Sequence, residues 1–123
     1  MFSCTIAKNQ KEVQLADTDG QVVYAYGKKS AAPELEIAVA RDDVELYAWE
    51  GFGRYHTHSV ALPRGEYRYT VYTSLDSLTG ETTAGVTVER SDKLLADLAC
   101  NMATVKGDLE GYVLRLKEAL ALP

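Results

Sequence analysis

The sequence predicts a mainly β fold, an antiparallel meander of eight or nine strands arranged as a sandwich or a barrel, with one C-terminal amphipathic helix. Three observations predict it. From Phe2 to Cys100, segment after segment alternates apolar and polar residues with period two, the pattern of half-buried strands. These segments are short, consecutive and joined by tight-turn residues, so each strand pairs most simply with the next. After Cys100 the apolar period lengthens to that of a helix.

The first strand, Phe2 to Ala7, puts Phe2, Cys4 and Ile6 on one face, and Lys8-Asn9-Gln10 turns the chain. Val13 and Leu15 lead to Asp19-Gly20, a pair suited to a type I′ hairpin because both positions need φ > 0. That turn sets Leu15 against Tyr24 and Val13 against Tyr26. Lys28 to Pro33 is a polar loop with a proline stop. Leu35, Ile37 and Val39 then form the buried face of a strand. Arg41-Asp42-Asp43 turns into the next, with Val44, Leu46 and Ala48 on one face and Tyr47 and Trp49 on the other.

Gly51-Phe52-Gly53 interrupts the pattern, and a long hairpin follows. Taking Arg64 and Gly65 as its loop puts Leu62 opposite Tyr67, Val60 opposite Tyr69, His58 opposite Val71 and His56 beside Thr73. Asp76 to Thr83 is a polar connection. A last hairpin, with Arg90-Ser91-Asp92 as its loop, pairs Val88 with Leu94, Val86 with Ala96 and Ala84 with Leu98. The helix is expected over 104–121, with Val105, Leu109, Tyr112 or Val113, Leu116 and Leu120 as its stripe and Asn101 or Thr104 as N-cap. Gly107 and Gly111 would weaken its first half by about 1 kcal/mol each. The whole chain, 1–123, reads as one domain with a β region over 2–100.

Composition narrows the function classes. The 123 residues, 46% hydrophobic and 25% charged, suit a single core. No apolar run approaches the roughly 18 residues of a membrane helix. A net charge of −5 and the lack of a basic run argue against nucleic acid, and an acidic surface would steer a basic protein partner.

Cys4 and Cys100 stand at opposite ends of the β region, both in core-facing phase, which favours a disulfide over two buried free thiols. The bond would imply an oxidising compartment, periplasmic or extracellular, and free thiols a cytoplasmic protein. Met1-Phe2-Ser3-Cys4 leads straight into strand-like sequence, so no signal peptide is expected in this chain.

Catalytic chemistry finds little support. His56 and His58 point to the same face of a strand and could share a metal ion, but the sequence marks no third ligand, so neither metal nor cofactor is expected. Neither cysteine lies in a setting that lowers a thiol pKa, and no nucleophile elbow or phosphate loop is present. A non-enzyme is expected. What remains is a surface: Trp49, Phe52, Arg54 and Tyr55 crowd around two glycines, and Trp, Tyr and Arg dominate binding hot spots. Here Phe52 would protrude and Arg54 would pair with an acidic group of the partner. The competing structural reading puts Trp49, Tyr47 and Tyr72 in a second apolar layer beneath the helix.

F-S-C at Phe2 to Cys4, the strand content and L-A-C at Leu98 to Cys100 together resemble small β-rich bacterial periplasmic proteins of the lysozyme-inhibitor type. The resemblance implies an exported binding protein. No active-site-blocking loop motif of those inhibitors is matched, so it assigns no residue. The leading expectation is an exported protein-binding module, an inhibitor or immunity protein for a basic cell-wall hydrolase. The alternatives are a metal or small-ligand binder using His56 and His58 inside a barrel, and a structural subunit that forms homodimers through the helix.

Overall fold

Alternation along each strand decides which side chains enter the core, and the result is a two-layer sandwich. The computed structural model describes residues 1–121. Among them, ten strands and one α-helix follow in chain order: β1 (Phe2–Thr5), β2 (Glu12–Thr18), β3 (Gln21–Gly27), β4 (Leu35–Ala40), β5 (Glu45–Tyr47), β6 (Tyr55–Arg64), β7 (Tyr67–Asp76), β8 (Thr82–Arg90), β9 (Lys93–Ala99), β10 (Lys106–Gly107) and α1 (Leu109–Ala121). Two antiparallel sheets of five strands result, ordered β10-β1-β2-β3-β4 and β5-β6-β7-β8-β9. Each is a meander except for β10, which returns to pair with β1. The sheets do not close into a barrel.

One core lies between the layers. The first sheet supplies Phe2, Ile6, Leu15, Val22, Tyr24 and Ile37, and the second supplies Val60, Leu62, Val71, Ala84 and Val86. Cys4 and Cys100 are joined by a disulfide across 96 residues of sequence, with Cα atoms 5.8 Å apart. Beside it Ile6 bridges to Cys100, Ala7 N–H donates to Ala99 O at 3.0 Å, and Asn101 N–H donates to Thr5 O at 2.8 Å. The start of the first sheet and the end of the second are thereby sewn together.

The first hairpin forms in the expected register, Leu15 facing Tyr24 and Val13 facing Tyr26. Asp19 and Gly20 hold φ of 52° and 78°, the two positive values a type I′ turn demands. The long hairpin corrects the sequence reading. Arg64 pairs with Tyr67, Leu62 with Tyr69, Val60 with Val71, His58 with Thr73 and His56 with Leu75, so Gly65 and Glu66 form the loop. Gly65, at φ 60°, occupies the first central position, the one a type II′ turn gives to glycine. The correction is a slip of two residues, which keeps every side chain on its face, and so apolar pairing could not detect it.

In the last hairpin the loop is Ser91-Asp92 alone, both at positive φ, with Arg90 paired to Lys93. A bulge between Val88 and Glu89 then lets the strand regain phase, pairing Val88 with Ala96 and Val86 with Leu98. Leu94 is consequently paired with Glu89 and lies exposed.

The helix begins at Leu109, five residues later than expected. Asn101 caps a 3-10 turn, Met102–Thr104, accepting from Ala103 N–H at 3.1 Å. Thr104 is no helix cap either, since its Oγ1 accepts Thr5 N–H at 2.9 Å and its hydroxyl donates to Asn101 O. Gly107 pairs with Phe2 at φ 94°, where a Cβ would overlap the Met1 carbonyl. Asp108 is the actual cap: its Oδ1 accepts Gly111 N–H at 2.9 Å.

From there Leu109, Tyr112, Val113 and Leu116 recur at i, i+3, i+4 and i+7 and are all buried. The helix packs on β5, β6 and β7, while Tyr112 OH donates to Asp17 Oδ2 on β2 at 2.7 Å, so α1 spans both sheets. Arg41 grips the same carboxylate with two donors. The apolar stripe is thus covered by the chain's own sheets. Leu114 and Leu120 are the exposed large apolar residues of the helix.

Candidate functional site

The seven residues between β5 and β6 form a loop with a fixed shape. Gly51 and Gly53 both sit at φ 99°, in a region that side chains with a Cβ rarely adopt. Open space surrounds both, so the backbone turn and not crowding asks for glycine. Trp49 closes the loop from within. Its indole Nε1–H donates to Phe52 O at 2.8 Å, and its ring stacks on His56 with centroids 3.7 Å apart.

Arg54 closes the loop from outside. Its Nε donates to Asp76 Oδ1 and its Nη2 to Asp76 Oδ2, both at 2.8 Å, while the guanidinium lies 5.1 Å from the centre of the Tyr55 ring. Ser77 N–H donates to Arg54 O at 3.0 Å, and Asp76 Oδ1 also accepts Leu78 N–H. The Arg54 fork is therefore engaged within the chain. What it does is tie the 48–54 loop to the β7–β8 connection.

Between these braces the apolar side chains face water. Phe52 is 77% exposed, Tyr55 57%, and Leu78, on the turn held by Arg54, 76%. Tyr47 is also exposed and Trp49 only half-buried, so neither belongs to a layer beneath the helix; Tyr72 instead places its OH 3.4 Å from Asp97. Asp76 and Leu78 went unmarked in the sequence, where they look like ordinary turn residues. The signal would have been D-S-L-T-G itself, whose Asp caps its own turn while its Leu has no alternating neighbour to pair with.

The histidines define a second feature. His56 and His58 project from one face of β6 into a cleft of about 330 Å³, whose far wall is Gly107 to Glu110 at the start of α1. The His58 side chain is 5% exposed, and its Nδ1 lies 3.3 Å from Glu110 Oε1 without a hydrogen-bond partner. Glu110 is 52 positions away in sequence and nothing local links it to the histidines.

Two carboxylates are shifted downward. The Arg54 fork holds the Asp76 carboxyl well below the usual range, and Arg41, helped by Tyr112 OH, lowers that of Asp17. The folded protein therefore binds these protons more weakly than the unfolded chain, whose carboxyls titrate near roughly 3.9. Their stabilisation is complete above that value and drains away as pH falls below it. Thermal melts from pH 7 down to pH 2 should show a decline setting in near pH 4. Arg41→Gln and Arg54→Gln should each make that decline shallower, and a slope unaltered in both would refute the assignment.

Comparison with protein-family models, with curated proteins and with solved structures finds no match to this chain.

Proposed function

We propose that the chain is an exported protein-binding module that acts through the 49–55 loop, most specifically as an inhibitor or immunity protein for a basic cell-wall hydrolase. The observation that carries the reading is the exposure of Phe52 on a braced backbone. A phenyl ring 77% in water costs solvation, yet Trp49, two glycines and the Arg54–Asp76 pair brace the backbone that carries it. Preorganising an apolar anchor lowers the ordering cost of association. Tyr55 and Leu78 add apolar surface beside it, and the net charge of −5 favours a cationic partner.

The disulfide supports export, because such bonds persist in oxidising compartments. The binding role replaces catalysis in this reading, and Arg54 positions the loop where the sequence alone suggested direct pairing with the partner.

Inhibition of a panel of basic cell-wall hydrolases, read as the rate of peptidoglycan clearing, tests the proposal. Phe52→Ala should weaken inhibition by roughly 2 kcal/mol, or about thirtyfold, if the ring is a hot spot. Its melting temperature should hardly move, since the ring is exposed. Arg54→Ala should weaken binding and lower the melting temperature together. Higher salt should weaken binding further through screening. No inhibition across the panel, or full inhibition by Phe52→Ala, would overturn the reading.

A further inference from the structure

We propose that the cleft between β6 and the start of α1 binds a divalent transition-metal ion of the zinc class, through His58 Nδ1 and the Glu110 carboxylate, with His56 as third protein ligand. The proposal is independent of the 49–55 loop's binding role. It begins with an electrostatic problem. His58 Nδ1 is buried, has no hydrogen-bond partner, and faces Glu110 Oε1 at 3.3 Å. With the ring neutral and its lone pair on Nδ1, two acceptors confront each other with nothing donated between them, which leaves the buried Nδ1 unpaired at a free-energy cost.

A shared cation removes the conflict. Zinc–nitrogen and zinc–oxygen bonds are about 2.0–2.2 Å long, and at a tetrahedral angle they set two ligand atoms roughly 3.3–3.5 Å apart. The observed 3.3 Å matches that bite. The ion would sit off the line between the two atoms, on the cleft side, where the volume of about 330 Å³ leaves room for water ligands. Glu110 is 56% exposed, which gives the ion a way in.

His56 follows from strand geometry. It lies two residues from His58 on the same face of β6 and lines the same cleft. Among the described residues no three ligating side chains already converge on one point, so the site starts as a two-point one. His56 completes it by turning away from Trp49, on which it now stacks. An imidazole pair with one carboxylate and open water positions is a donor set suited to zinc, nickel or cobalt.

A proton is the rival occupant, since an Nδ1–H on His58 would also relieve the two acceptors. Zinc chloride titrated into chelator-stripped protein at pH 7 separates the two, followed by calorimetry and by the fluorescence of Trp49, the sole tryptophan. The expected result is one ion per chain with a Trp49 emission change as its stacked partner leaves. Glu110→Gln should weaken zinc roughly tenfold or more, as loss of even an outer-sphere partner does elsewhere. It should not lower the melting temperature of the metal-free protein, and should raise it if the amide donates to His58 Nδ1, so loss of binding cannot be blamed on unfolding. His56→Ala should weaken zinc comparably and abolish the emission change. Absence of saturable one-to-one binding, or unchanged affinity in Glu110→Gln, would overturn the site in favour of the proton. Unchanged affinity in His56→Ala would remove His56 from it.

Discussion

Replacing both cysteines, as Cys4→Ala/Cys100→Ala, is expected to lower stability by about 4–5 kcal/mol, because the bond closes a loop of nearly the whole β region. A single domain of this size has roughly 5–15 kcal/mol in total, so the variant should sit close to its unfolding threshold at 37 °C. The effect acts mainly on the unfolded chain, which regains the freedom that the cross-link removes. Folded contacts also suffer, since Cys4 and Cys100 are both buried and Cys100 itself forms the bridge to Ile6 that sews the sheets together. Urea unfolding of the wild type with and without reductant, beside the double variant, measures it. Coincident midpoints for all three samples would show that the bond contributes nothing. Intact mass after alkylation, with and without reductant, reports whether the bond is present in the purified protein.

Leu116→Asp should be nearly as damaging. Leu116 is 5% exposed and joins Leu109, Tyr112 and Val113 in the core, on a helix that packs against β5, β6 and β7. Leucine-to-alanine changes in cores cost about 2–5 kcal/mol, and a buried carboxylate without a partner adds to that. The variant should therefore lose its near-ultraviolet circular dichroism and melt early. The outcome also bears on association through the helix. If that face bound another copy, Leu116→Asp would give a folded monomer in place of an oligomer. Leu114→Asp provides the contrast: Leu114 is exposed, so its replacement should leave the fold intact and perturb only contacts made from outside.

Periodicity made the layer assignment legible because burial on one face is a local property of a strand. Val13 and Leu15, Tyr24, Ile37, Val60 and Leu62 all point inward as their alternation implied. Turn chemistry was legible where two residues both needed positive φ, as at Asp19-Gly20. It failed at Gly65, where one glycine served two turns equally well and the facing residues were apolar in either register. It failed again at Leu94, because a bulge has no signature in a run such as K-L-L-A. Gly107 reads in sequence as a weak helix residue and Thr104 as a candidate N-cap. They are a strand partner of Phe2 and a hydroxyl bonded to Thr5, roles set by a segment about a hundred residues earlier.

The candidate sites divide the same way. Glycine spacing and aromatic content marked Trp49, Phe52, Arg54 and Tyr55 directly, but only the fold revealed Asp76 as the partner that occupies Arg54. His56 and His58 share a face by the pleat alone, whereas Glu110 reaches His58 because the helix docks on β6. The sequence by itself determined the strand faces, the I′ turn at Asp19-Gly20, the helical stripe and the pairing phase of the two cysteines, since each depends on neighbours within a few residues. Tertiary structure decided sandwich over barrel, the two-residue register of the long hairpin, the late start of α1, and which charges meet. Those depend on free-energy differences between arrangements that keep the same faces buried, and local pattern is blind to such differences.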